Sequence, residues 1–283
     1  MSLFPRTEVS GISLPRMLMG TNWLLGWSHT SASSDAMIRH RYATRESVQP
    51  MLEAYMTYGI DAMMAPFSEG MPLLDGVRDY EQKSGRAITR ITTPIINVEP
   101  TAAGRAEARR TIEEGARLGA KICLLHHSCV EQLVCKRTHS IDGLPDYLDM
   151  IRQAGMVPGL SAHMPELILF SDEQGYDVQT YIQLYNCMGF LMQVEVEYIH
   201  KVIWSAKKPV MTIKSMAAGR CSPFVGLTFS FSTLRPCDMV TLGAFTPDEV
   251  HEDVEIALAA LERRAPDLEG RSSPNKTVVL GGK

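Results

Sequence analysis

The chain is short of everything that would send it to a membrane or to nucleic acid. No apolar run approaches the ~20 residues that span a bilayer, and the opening MSLFPRTEVSG lacks the apolar core of a signal peptide. Lys and Arg form no cluster and the net charge is −4, so there is no electrostatic footprint for nucleic acid. The six cysteines have no paired spacing, which argues against a disulfide framework and against structural zinc. No glycine-rich turn follows the first expected strand, which counts against an open dinucleotide-binding sheet. With 45% hydrophobic and 21% charged residues, the composition is that of an ordinary globular enzyme. The expectation is a cytoplasmic protein with a small-molecule substrate and neither a nucleic-acid nor a membrane partner. A homo-oligomer stays open.

What is present is a repeated unit of helix, short return, apolar strand and polar residue at the strand's tip. The clearest copy is KICLLHHSC (121–129), a strand preceded by Gly119 and ending in two histidines. Other expected strands are RMLMG (16–20), IDAMMAP (60–66), ITRITTPIINV (88–98), VPGLSAH (157–163), GFLMQVE (189–195), PVMTIKSM (209–216) and CDMVTLG (237–243). Helices are expected from about Ser47, over 101–118, 144–154, 178–187 and 198–206, and across PFVGLTFSFST. The last helix has Thr246 as its cap, Pro247 at the first position and Glu249 closing a capping box. TNWLLGWSHTSASSD (21–35) reads as a long polar loop. Eight such repeats predict one α/β domain, a single (β/α)8 TIM barrel over 1–283. Residues 1–15 form a lead and 266–283 a peripheral tail. An open doubly wound sheet is the alternative.

In such a barrel, polar side chains at the carboxyl ends of the strands face the ligand. His127 and His163 are the candidate bases, and Lys214 is a candidate Schiff-base lysine, general base or ion-pair partner of Glu195. Asn22, His29, Asn97, Gln193, Glu195 and Arg220 are candidate substrate contacts. His127, His163 and Glu195 also have the composition of a divalent-metal site, although plain hydrogen bonding to substrate is the more frequent use of such residues. Adjacent strand residues point oppositely, so only one of His126 and His127 is expected to face the axis, and His126 takes the structural role. Asp61 precedes its strand and belongs to the stabilising face. Cys123, Cys129 and Cys135 read as plain thiols. AAGR and GAFTP form a corner that cradles phosphate in some barrels.

KPVMTIKSMAAGR followed by MVTLGAFTPDEVHEDVEIA resembles the end of the aldo-keto reductase barrel, particularly its minimal bacterial branch. The resemblance implies the barrel fold and, in its usual form, a nicotinamide cofactor. The family's catalytic Asp and Tyr would fall at Met64 and Glu69, and its strand-three Lys has no counterpart. Its strand-four His would match His126 or His127. Its phosphate-clamping basic residues would fall at Thr241 and Glu249. The first expectation is therefore a barrel enzyme that acts on a small polar carbonyl or carbohydrate-like substrate by proton transfer, as a lyase or isomerase would, with a divalent metal as an option. An NAD(P)-dependent oxidoreductase with a rearranged site is the alternative, and a non-catalytic metabolite-binding barrel a third.

Overall fold

The structure, a computed structural model, describes residues 2–268. Eight parallel strands close into a barrel: β1 (Met17–Gly20), β2 (Ala62–Ala65), β3 (Thr89–Thr92), β4 (Ala120–Leu125), β5 (Val157–Ala162), β6 (Tyr181–Leu184), β7 (Val210–Ile213) and β8 (Met239–Leu242). Each pairs with its chain neighbours, and β8 closes on β1 through Val240–Met17, Thr241–Leu18 and Leu242–Met19. The single (β/α)8 barrel is thus the fold. The strands alternate as the pleat demands. Leu18, Ile91, Ile122, Leu124, Ile182 and Met211 fill the interior, while Met17, Met19, Cys123, Leu125 and Tyr181 pack outward against the helices.

The lead holds an antiparallel hairpin, Arg6–Val9 with Ile12–Pro15. Ser10 and Gly11 both take positive φ (51° and 82°) at its two-residue turn, the geometry that matches the twist of the flanking strands. Val9 and Leu14, at 1% and 0% exposure, join the interior cluster and seal the amino end of the barrel. Arg6 of the hairpin pairs with Asp61 at 3.0 Å, which puts Asp61 on the stabilising face as expected. The mouth is therefore left at the carboxyl ends of the strands.

Three expected elements differ. The sixth strand is Tyr181–Leu184, inside the segment read as a helix, and Gly189–Glu195 is loop. YIQLYN has an apolar run too short to separate strand from buried helix by period alone. The strand expected over 88–98 pairs only at Thr89–Thr92, since Pro94 ends the ladder and supplies no donor. The loop after β1 contains a helical turn, Asn22–Leu25, and a helix, Ala32–Arg41, whose cap Ser31 accepts from the Ser34 amide. The Thr246 cap of Pro247–Glu262 accepts from the Glu249 amide, while the Glu249 carboxylate reaches back to the Phe245 amide at 2.7 Å. Most of the tail expected from Pro266 lies outside the described residues. No helix among the described residues is long and apolar enough to cross a membrane.

Leu14→Ala removes a fully buried side chain from the seal. It is expected to cost about 2–4 kcal/mol, read by denaturant unfolding. A loss below about 0.5 kcal/mol, the range of ordinary surface changes, would show that the hairpin does not close the core.

Candidate active site

A cavity of about 570 Å³ opens at the carboxyl ends of the strands. Its floor is apolar, with Met64, Ile182 and Ile213 continuous with the barrel interior. Trp23, Trp27 and Phe67 form part of the wall, and the polar groups converge from β1, β4, β5, β7 and the segments that follow them.

His126, His127 and His163 make one column of imidazoles. His127 stacks on His163 with centroids 3.6 Å apart and planes 16° from parallel, and His126 lies 4.2 Å from His127. All three line the cavity. This corrects the expectation that only one of the adjacent pair faces inward. Ile122 and Leu124 point to the axis, so the strand's alternation delivers His126 there. β4 then ends at Leu125, and His127 opens a helical turn, His127–Val130, that swings it back over the mouth. His163 follows Ser161 on the inward side of β5. Burial first, and the neighbouring charge of His127 second, push His126 and His163 down to about 4. Both are neutral at physiological pH.

Glu131 is the residue that the sequence reading missed. One carboxylate oxygen accepts the backbone amides of His163 and Met164 at 2.6 and 2.8 Å, and the other lies 3.9 Å from His127 Nδ1. Burial works to raise its pKa, but the nearby His127 ring and the hydrogen bonds from those amides outweigh it and hold the carboxyl below its ordinary range. The carboxylate ties the tip of β5 to the turn after β4. Its i,i+4 spacing from His127 on one helical turn was the available signal.

Lys214 stands at the end of β7 with φ +66°, a left-handed conformation that costs a non-glycine residue about 1 kcal/mol or more. Burial pushes its amine down to about 8. Among the described residues its side chain has no hydrogen-bond or ion-pair partner, so the expected pairing with Glu195 is absent. Across the mouth, His29 Nε2 and Asn22 Nδ2 are 3.2 Å apart. His29 is lowered by desolvation and then by the charges of Lys214 and Arg220. Ser28, buried beside it, donates to Asp35 at 2.6 Å and fixes this loop. The cavity's one lining carboxylate among the described residues, Glu114, is bound to Arg117 at 2.6 Å.

Other candidates fall away from the mouth. Glu195 is exposed at the position before the helix Val196–Ser205, with no side-chain bond to the helix end, and Gln193 is exposed in the loop before it, both displaced because β6 lies earlier in the chain. Asn97 is spent on an Asx turn, accepting from the Glu99 amide at 2.9 Å and donating to Glu107. Arg220 sits at the rim with its guanidinium 4.0 Å over the Phe190 ring. The metal set His127, His163 and Glu195 is therefore not assembled. Parallel stacked rings also hold their lone pairs in separate planes, where they do not converge on one ion at ~2 Å. No group of three or more His, Cys, Asp or Glu suited to a metal occurs among the described residues. Of the reductase positions, Met64 lines the cavity as a thioether, and Glu69 lies outside it, exposed and paired with Arg78 at 2.9 Å. Thr241 lines the cavity, whereas the Glu249 carboxylate serves the helix cap.

No known sequence family matches the chain, and neither does any curated protein. Solved structures do. A Pseudomonas aeruginosa protein assigned as an aldo-keto reductase superposes with a TM-score of 0.66 at 16% identity, over 92% of this chain and 97% of its own. A thermostable aldo-keto reductase solved with the inhibitor epalrestat gives 0.61 at 12% identity, over 92% and 98%. Aldose reductase from Giardia lamblia gives 0.51 at 12%, over 90% and 89%. The chain shares the TIM-barrel fold of these aldo-keto reductases.

Proposed function

We propose that the chain is a barrel enzyme that binds a small polar carbonyl or carbohydrate-like compound in this cavity and acts on it at Lys214. One observation supports this above the rest: a half-buried lysine, without a side-chain partner among the described residues and with its amine lowered to about 8, faces a cavity in which burial holds His126 and His163 neutral. Roughly a tenth of such an amine is uncharged at pH 7. In that form it adds to a carbonyl carbon to give a Schiff base. As the ammonium it stabilises an oxyanion or enolate in a poorly solvated site. The His127–His163 pair, oriented by Glu131, is placed to take or return the proton at the adjacent carbon, which is lyase or isomerase chemistry. Asn22 and His29 hold the far side of the substrate.

The likeness to solved structures favours a second reading at the level of the scaffold: a nicotinamide-dependent oxidoreductase with a rearranged site. The scaffolds that superpose on this one are aldo-keto reductases, and a carbonyl is common to both reactions. The residues present do not fit the phosphate-bearing cofactor at the clamp positions, where Thr241 is neutral and the Glu249 carboxylate would repel it. Hydride transfer from such a cofactor therefore has no support among these side chains. A bound divalent ion also lacks its ligands, because the rings are stacked and Glu195 lies away from the mouth.

Three outcomes are expected. Borohydride reduction in the presence of a small aldehyde or ketone traps a covalent adduct on Lys214, found by peptide mass spectrometry. The trapping rate rises with pH and levels off above about 8, where the amine is neutral, and Lys214→Met abolishes it. A flat profile, or an adduct elsewhere, removes Lys214 from the chemistry.

NADPH is expected to leave the fluorescence of Trp23 and Trp27, both in the cavity wall, unchanged. Saturable quenching, lost on narrowing the cavity with Thr93→Phe, would install the reductase reading instead.

His163→Ala keeps the backbone amide that Glu131 holds and loses a ring with no side-chain hydrogen bond among the described residues. It is expected to cost about 1 kcal/mol or less in stability while turnover falls at least 100-fold, about the lower bound for a lost acid–base group. Because the folded-state value of His163 is about 4, below the ordinary ~6.5, the unfolded chain binds the extra proton first. Stability contributed by the neutral ring is present above pH ~6.5 and lost as pH falls toward 4. The variant should therefore show a shallower acid limb of melting temperature against pH. An unchanged limb would place the ring in solvent.

A further inference from the structure

The cavity does not end at the imidazoles and Lys214. A lobe of it leaves the mouth on the β3 side, with Thr93, Pro94 and Ile95 on one wall and Thr111, Glu114 and Gly115 on the other. The second wall is the helix Ala102–Arg117. No other helix of the outer ring lines the cavity among the described residues. The end of β3 explains the lobe. Ile91 points to the axis, so Thr92 points outward to the helix layer. Strand and helix touch there: a Cβ on Gly115 would come within 3.0 Å of Thr92 Cγ2. The ladder stops at Thr92, before Pro94, and the lobe opens between the departing loop and the helix. Glu114 lines it and also shows 42% of its side chain to solvent, so the lobe reaches the side of the barrel. Ion pairs stand at that outer end. Arg117 holds Glu114 at 2.6 Å and lies 3.7 Å from Glu69, which Arg78 binds at 2.9 Å.

The lobe's chemistry differs from that of the mouth. The Thr111 hydroxyl donates to the Glu107 carbonyl at 3.1 Å, and both Glu114 oxygens accept from Arg117. Neither side chain is free for a hydroxylated ligand, and a sugar seated here would leave its own hydroxyls unpaired, which is costly. Ile95 is 65% exposed, a large apolar side chain left in water on the wall of a cavity, as binding grooves leave them. We propose that this lobe is a second subsite, which takes an unbranched alkyl arm carried by the reacting carbonyl compound. The inference rests on the reading of Lys214 given above and narrows it. The carbonyl head meets Lys214 and the imidazoles, the arm lies between residues 93–95 and the helix, and carbohydrate-like compounds are set aside. A cavity of about 570 Å³ is sized for such a ligand, since sites of a few hundred to ~1,000 Å³ enclose much larger molecules than a three-carbon carbonyl. The ion pairs set the limit on length, because an apolar chain gains nothing by displacing them.

Two measurements separate the subsite from the chemistry. In the first, propanal, pentanal, octanal and dodecanal are trapped on the full chain with cyanoborohydride, and the Lys214 peptide is quantified by mass spectrometry. The half-saturating concentration should fall about fourfold for each methylene that enters the lobe, hence at least about tenfold from propanal to octanal. The gain should stop before dodecanal. Thr111→Phe and Thr93→Phe fill the lobe from opposite walls, and each should remove most of the octanal advantage over propanal. Thr111→Val, which loses only the hydroxyl, should keep it. In the second, a medium-chain alcohol with a terminal diazirine, which forms no Schiff base, is photolysed with the unmodified protein. It should label peptides that contain residues 93–95 or 111–115, and octanal should compete; this result decides the matter if the phenylalanine variants do not fold. Propanal trapped on Lys214 with no gain from a longer chain overturns the subsite and leaves the Lys214 chemistry standing. So does label confined to Trp27 and Leu191, or a length gain that survives both phenylalanine variants. Label in the lobe without any trapping on Lys214 does the reverse: the apolar subsite stands and the Lys214 chemistry falls.

Discussion

Closure is the constraint from which the rest of the molecule follows. β8 returns to β1 over a short register, and at the mouth end the two strands come together at Gly20 and Gly243. A Cβ on Gly20 would meet the Gly243 nitrogen and the Leu242 carbonyl carbon at 3.0 Å, closer than side chains tolerate. With the cylinder shut, side chains have two destinations, the axis or the helices, and an apolar axis leaves polar groups only at the ends. The hairpin of Val9 and Leu14 occupies one end. The other end must then receive every inward-pointing polar residue that the strands carry past the core. The assembly of histidines and lysine at one mouth is a geometric result of sealing the opposite one.

Where the chain's pattern had length and punctuation, the elements were legible. β4, β5, β7 and β8 lie where apolar runs end in polar residues, and Thr101 and Thr246 cap helices as their spacing says. β6 was not legible. Its YIQL is flanked by Tyr and Asn, and the competing GFLMQVE has a longer apolar content, so the pattern favoured the wrong segment. Gln193 and Glu195 inherited that error. Of the inward candidates, His163 follows from register counted from Ser161, whereas His127 and Lys214 break register and reach the cavity through a helical turn and a left-handed residue. His126 was recoverable too, had the alternation from Ile122 been counted through to the tip. Glu131 is of another kind. It acts through backbone amides of a strand that lies more than thirty residues later, and no local spacing encodes which amides a carboxylate will find.

The scaffold does not by itself set the chemistry, and the reason is visible in single positions. A barrel supplies a mouth and a depth, and the side chains at that mouth are a separate matter. Here the place expected for a catalytic carboxylate is taken by Met64, and the residue expected to donate a proton, at Glu69, lies outside the cavity in a surface ion pair. What stands at the mouth instead is a lysine at the tip of β7 and a group of imidazoles at the ends of β4 and β5, with the Lys214 charge acting on His163.

The stacked imidazoles have a consequence for stoichiometry. Three rings within van der Waals reach of one another, in a partly desolvated mouth, cannot share out positive charge freely. A proton on any one of them raises the electrostatic cost of a second, and the Glu131 carboxylate is close enough to offset a single charge and no more. With His126 and His163 both pushed down to about 4, the column leaves no room for a second positive charge near neutral pH.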